Sequence, residues 1–148
     1  FKKRSMSVTV LYYWIRSILA LFAGIITRAT YNMIFIQYGY HLVEMPEGFV
    51  PESMESLEEN IHKFSFIHFV FPFLAHAMGT FVGAMVVALI DRKRSHITVY
   101  LIGLLFFVGG LMMVIQLPAP FTFEFVDLVF AYFPMAWLGL TVVRYVKS

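Results

Sequence analysis

The chain has no cysteine, so no disulfide, thiolate ligand or thiol nucleophile can form in it, and its redox compartment stays open. It also lacks a phosphate-binding glycine loop, a Ser/His/Asp set, an internal repeat and any low-complexity linker. These absences remove the familiar nucleophilic and nucleotide-dependent chemistries and leave one domain as the simplest organisation. Charge is scarce too, at 14% of 148 residues.

What is present is apolar: 60% of residues are hydrophobic and 18% aromatic, with 17 Phe and 9 Met. A soluble core of this size cannot hide so much apolar surface, so the composition is that of an integral membrane protein. A spanning helix needs about 20 mainly apolar residues. Four stretches qualify, near 17–38, 66–90, 97–117 and 125–145, and little is left for a soluble domain. The expected fold is an all-α membrane protein of four transmembrane helices in one domain, residues 1–148. Lys2, Lys3 and Arg4 before the first stretch resemble the start of a signal peptide. The apolar run is too long for one, Arg16 interrupts it and no small-x-small site follows, so it is read as a permanent span.

Charge is laid out by side. Lys2, Lys3, Arg4, Arg92, Lys93, Arg94, Arg144 and Lys147 fall at the N-terminus, the second connection and the C-terminus. Glu44, Glu47, Glu52, Glu55, Glu58, Glu59, Glu124 and Asp127 fall in or beside the first and third connections. The positive-inside rule then puts both termini in the cytoplasm and the acidic connections outside. The basic residues beside the spans suit anionic lipid, so the lipid bilayer is the expected partner and nucleic acid is not.

Residues 8–16, "VTVLYYWIR", carry Tyr12, Tyr13, Trp14 and Arg16 and suit the cytoplasmic interface. In the longest connection, about 41–63, Pro51 can open a helix on which Met54, Leu57, Ile61 and Phe64 recur at three- and four-residue steps. This predicts a short amphipathic helix on the outer surface, between the first and second spans. Ala75, Gly79 and Gly83 on the second span, and Ala20 and Gly24 on the first, follow the small-xxx-small rule that lets helices approach closely. Pro72 and Pro134 each free the carbonyl four residues earlier, at His68 and Phe130, and predict kinks.

"AHAMGTFVGAMVVALIDRK", "LIGLLFFVGGLMM", "LPAPF" followed by Asp127, and "YFPMAWLG" resemble an uncharacterised family of small four-span inner-membrane proteins of Bacteroidetes-type bacteria. The resemblance covers roughly residues 20–142 and implies a four-helix membrane fold without an activity. That family carries an acidic residue in the first span, where this chain has Arg28 and Asn32.

Arg16 and Arg28 lie about 18 Å apart along a helix, less than the roughly 30 Å of hydrocarbon, so both cannot sit in water. Either both snorkel from a centred register, or Arg16 sits at the interface and Arg28 near the midplane. The second is favoured, since Tyr38 and Tyr40 then form the outer aromatic belt. A midplane arginine costs at least about 2.5–3.5 kcal/mol on insertion scales and needs partners. Ala20, Gly24, Arg28 and Asn32 share one stripe, and His68, Pro72, His76 and Thr80 share another. Antiparallel packing is expected to set Arg28 beside His76 and Gly24 beside Thr80. Asp127 is expected near the outer surface, out of direct reach, leaving no counter-ion within the chain.

His68 and His76 are on one helix about 12 Å apart and cannot be the two axial ligands of one haem. Glu58, Glu59 and His62 match half of a carboxylate-bridged di-metal pattern whose second half is missing, and read as a solvated face. No cofactor, metal or catalytic residue is expected. The candidate site is an intramembrane polar cluster of Arg28, Asn32, His68, His76 and Asp127, with Ala20, Gly24, Ala75, Gly79 and Gly83 as packing residues. The expected function is a non-enzymatic accessory or scaffolding subunit of a larger complex in a bacterial inner membrane. The alternative is a small transporter or channel with a polar route through the bundle.

Overall fold

The computed structural model describes residues 8–51, 53–93 and 95–146. Lys2, Lys3, Arg4, Glu52, Arg94 and Lys147 of the charge layout lie outside the described residues. The described chain is helical, with α1 (Val8–Leu42), α2 (Met54–Asn60), α3 (Phe66–Ile90), α4 (Ser95–Gln116), α5 (Phe121–Phe130) and α6 (Phe133–Tyr145). Four rods are long and apolar enough to cross a membrane: α1, α3, α4, and α5 with α6 taken together. The fold is therefore an all-α four-span bundle with a short helix between the first two spans.

The elements depart from the expected boundaries for local reasons. No proline interrupts the chain before Pro46, so α1 runs through the aromatic segment and on past 38, 35 residues in all. That is about 52 Å, well over the roughly 30 Å that a bilayer core needs. Pro51 does not open α2. Ser53 caps it instead, its hydroxyl accepting from the Ser56 amide at 3.1 Å. A 3-10 turn at Ile61–Lys63 continues α2, and its buried side includes Ser56 and Asn60 beside Ile61, whereas Met54 is exposed. Both polar residues are satisfied by backbone: the Asn60 side-chain amide donates to the Ser56 carbonyl at 2.8 Å, and Ser56 Oγ accepts from the Val50 amide of the preceding loop at 2.8 Å.

The fourth span begins at Phe121 rather than 125 and is interrupted instead of kinked. A continuous helix would set the Pro134 ring against the Phe130 carbonyl, which would also lack a donor. The helix stops at Phe130, turns through Ala131 and Tyr132, and restarts with Pro134 in the first turn of α6, where a missing N–H is tolerated. By contrast, α3 runs unbroken through Pro72.

The central helix is α3, which packs against α1, α4, α5 and α6. α1 and α3 run antiparallel, because Ser17 meets Asp91, Gly24 meets Gly83 and Gly39 meets Phe71. Gly24 and Gly83 bring the two backbones together: a Cβ on Gly83 would lie 2.9 Å from the Gly24 carbonyl oxygen. The expected pairing of Gly24 with Thr80 is thus about three residues out of register. One more step along the same stripe places Arg28, not a small residue, against Gly79.

A Cβ on Gly24 would meet Val87 Cγ2 at 2.5 Å and Ile102 Cδ1 at 2.7 Å, whereas one on Gly109 meets nothing within 4 Å. Gly24→Ala should therefore destabilise the bundle by about 1–3 kcal/mol through overpacking. Gly109→Ala should be neutral or slightly stabilising, since alanine is the better helix former. Thermal unfolding in mild detergent checks the pair, and equal melting of the two variants would contradict this packing.

Candidate functional site

The interruption of the fourth span determines what faces the bundle centre. Asp127 lies two turns into α5 and is 4% exposed. The turn after Phe130 lets Tyr132, five residues on, swing to the same place, with 0% exposure. Its hydroxyl donates to Asp127 Oδ2 at 2.9 Å. Room for the phenol comes from α4, where Gly110 stands in contact with the Tyr132 hydroxyl and a side chain would collide with it.

From α3, His76 presents Nδ1 to Asp127 at 2.9 Å from Oδ1 and 3.0 Å from Oδ2. A carboxylate this buried accepts, so Nδ1 carries the proton and the ring is held as its Nδ1–H tautomer. In that tautomer Nε2 is the acceptor nitrogen of the ring. Among the described residues it makes no hydrogen bond, and it is not sealed off from the space beside it. Asp127 therefore lies within reach of the intramembrane cluster, and His76 belongs to it rather than to Arg28. The same two groups and the Tyr132 hydroxyl are spaced for proton transfer, with the histidine as the exchangeable member.

Arg28 sits about halfway along α3, against Gly79 and Gly83. Its guanidinium lies 4.2 Å from the centroid of the Phe106 ring, a cation–π contact worth about 0.5–2 kcal/mol. Its Nε is buried without a hydrogen-bond partner, and so is Asn32 Oδ1 one turn away. Asp127 and Tyr132 act on Arg28 through space without touching it. The expected Arg28–His76 contact does not form, because the three-residue register difference displaces the two by roughly 4.5 Å along the helix axes. The chain does contain a carboxylate near the middle of the bundle, committed to His76 and Tyr132.

His68 stands apart from this centre. It closes the start of α3, with Nδ1 accepting from the Ser65 amide at 3.0 Å and Nε2 facing the Glu44 carbonyl at 3.0 Å. It is therefore the Nε2–H tautomer, tying α3 to the end of α1. Ala20 and Ala75 are fully buried at the helix contacts. Glu58, Glu59 and His62 are exposed.

A cavity of about 200 Å³ joins the central cluster to the acidic end of the bundle. Val43, Leu57, Ile61 and Phe64 border its outer part, and His76, Gly110 and Asp127 lie at its inner part. Toward the basic end the bundle is closed. Gly24, Gly83, Val87 and Ile102 pack there without space, Ser17 donates to buried Asp91 at 2.6 Å, and Arg16 Nε donates to the Ile90 carbonyl. Sequence reasoning missed Tyr132 and Asp91. Tyr132 had no periodic signal relative to Asp127, since a turn separates them, and Pro134 was the available clue.

No protein-family model, curated protein or solved structure matches the chain. The geometry above is therefore what carries any functional reading.

Tyr132→Phe removes one donor from a buried carboxylate while keeping the ring. It should cost about 1–3 kcal/mol of stability, because a buried carboxylate loses one of its donors. Unfolding measured in nanodiscs checks this, and a cost below about 0.5 kcal/mol would show that the hydroxyl does not serve Asp127.

Proposed function

We propose that the chain is a small non-enzymatic transporter or channel of a bacterial inner membrane, with the cavity as its outer vestibule and the His76–Asp127–Tyr132 cluster as its selective centre. The observation that carries this reading is a hydrogen-bonded, ionisable cluster at the inner end of a cavity that is closed on the far side. Intramembrane ionisable residues are costly and rare, and those that face a bundle interior or cavity mark solute and proton routes. The segregation of basic and acidic residues supports an orientation with the vestibule facing outward and both termini in the cytoplasm.

A second reading, an accessory or scaffolding subunit of a larger membrane complex, draws support from α1. This helix contacts only α3 and α4 among the described residues, and Ile18, Leu19, Phe22, Ile26 and Met33 face outward. It also holds the two buried polar atoms without partners, Arg28 Nε and Asn32 Oδ1.

Reconstitution in proteoliposomes with a pH-sensitive dye separates the two. The transport reading expects proton or solute flux that falls at least about tenfold in His76→Gln and Asp127→Asn, with recovery from native membranes unchanged. Wild-type vesicles no leakier than empty ones, together with a stable partner lost on Arg28→Leu, would contradict transport and favour the subunit.

A further inference from the structure

We infer that the cavity is a binding site for a small, neutral, ring-sized molecule that donates one hydrogen bond to His76 Nε2. The inference deepens the transport reading, since it concerns the same site.

Size sets the first limit. At about 200 Å³ the cavity exceeds the ~150 Å³ that accommodates benzene and falls short of the roughly 300–1,000 Å³ typical of drug-sized ligands. One ring with short substituents fits.

The walls set the second limit. Phe64, Phe69, Phe71 and Phe123 border the space with aliphatic side chains between them. Phe64 and Phe69 are 5.9 Å apart, and Phe69 and Phe123 are 4.8 Å apart, so the rings form a connected side suited to another ring. Apart from the inner cluster and, at the outer part, Tyr40, His68 and the carboxylate of Glu124, the lining is apolar, and an anion would lose its hydration here beside Glu124 and Asp127 without gaining a countercharge. Arg28, nearby and positive, disfavours a cation.

The polar atom on offer sets the third. Of the groups at the inner end, Asp127 is occupied and the Tyr132 hydroxyl donates to it. His76 Nε2 alone is accessible and unpartnered, and the carboxylate on Nδ1 makes it an acceptor. A ligand O–H or N–H completes the site, and a ring that lacks one leaves Nε2 unsatisfied. Phenols and similar aromatic alcohols are the class that meets all three limits.

The test uses the whole protein in lipid nanodiscs, with 4-fluorophenol and 4-fluoroanisole followed by fluorine NMR and empty nanodiscs subtracted. The two probes have nearly the same shape, and only the phenol can donate. Expected is a saturable site, one per chain, that binds the phenol roughly tenfold tighter than the ether, as one hydrogen bond predicts. Val114→Trp, which fills the space from α4 without touching the cluster, should remove the saturable signal. No saturable signal above empty nanodiscs, or equal binding of the two probes to the wild type, would overturn the inference. Saturable, phenol-selective binding by a protein that carries no flux supports the site and sinks the transport reading alone. Flux without such binding sinks the site alone.

Discussion

A carboxylate removed from water must find donors, and the pairing of buried Asp127 with the half-buried imidazole of His76 is the constraint around which the other elements are arranged. Leaving the carboxylate alone in the bundle would cost several kcal/mol. The pair is completed by a phenol from the same span, and a phenol five residues from the carboxylate can reach it only if the helix is broken. Pro134 makes that break inexpensive, and Gly110 on the facing helix leaves the volume that the ring needs. The interrupted span, the gap in α4 and the buried tyrosine are thus one solution to one polar problem.

One to two turns further along α3, on nearly the same side as His76, the contact with α1 solves a different problem. Close backbone contact at Gly24 and Gly83 gains dispersion energy in a medium where hydrophobic burial between helices gives little. The same stripe carries Arg28 one turn further on, where it finds glycine, an aromatic face and a distant carboxylate. Steric fit and charge are therefore not optimised together on this helix. That conflict between local packing and polar satisfaction is what functional sites commonly show.

The long, mainly apolar runs made the four spans legible, and the clean boundaries of α3 follow from Ser65 before it and Asp91 after it. The cluster was less legible. Residue depth counted from assumed helix ends set Arg28 and His76 level, but side-chain register depends on which atoms collide, and the Gly24–Gly83 contact shifts the helices by about a turn. A fourth span that starts at 125 leaves Asp127 near the surface, whereas α5 starts at Phe121 and carries Asp127 two turns deep. Tyr132 was invisible to a periodic reading, since periodicity does not continue through a turn. Similarly, Ser56 and Asn60 lie on the buried side of α2 because the Asn60 side chain donates to the Ser56 carbonyl and the Ser56 hydroxyl accepts from the Val50 amide, which an apolar count cannot register.

The two histidines of α3 provide the most direct measurement of the central claim, because their surroundings impose opposite tautomers. His76 gives Nδ1 to Asp127, whereas His68 takes the Ser65 amide on Nδ1. Nitrogen-15 spectra of histidine-labelled protein in nanodiscs, assigned by His76→Gln and His68→Gln, resolve the protonated ring nitrogen of each. The account predicts His76 protonated at Nδ1 and His68 at Nε2, with the His76 signature lost in Asp127→Asn. A His76 ring protonated at Nε2 and indifferent to Asp127 would contradict it.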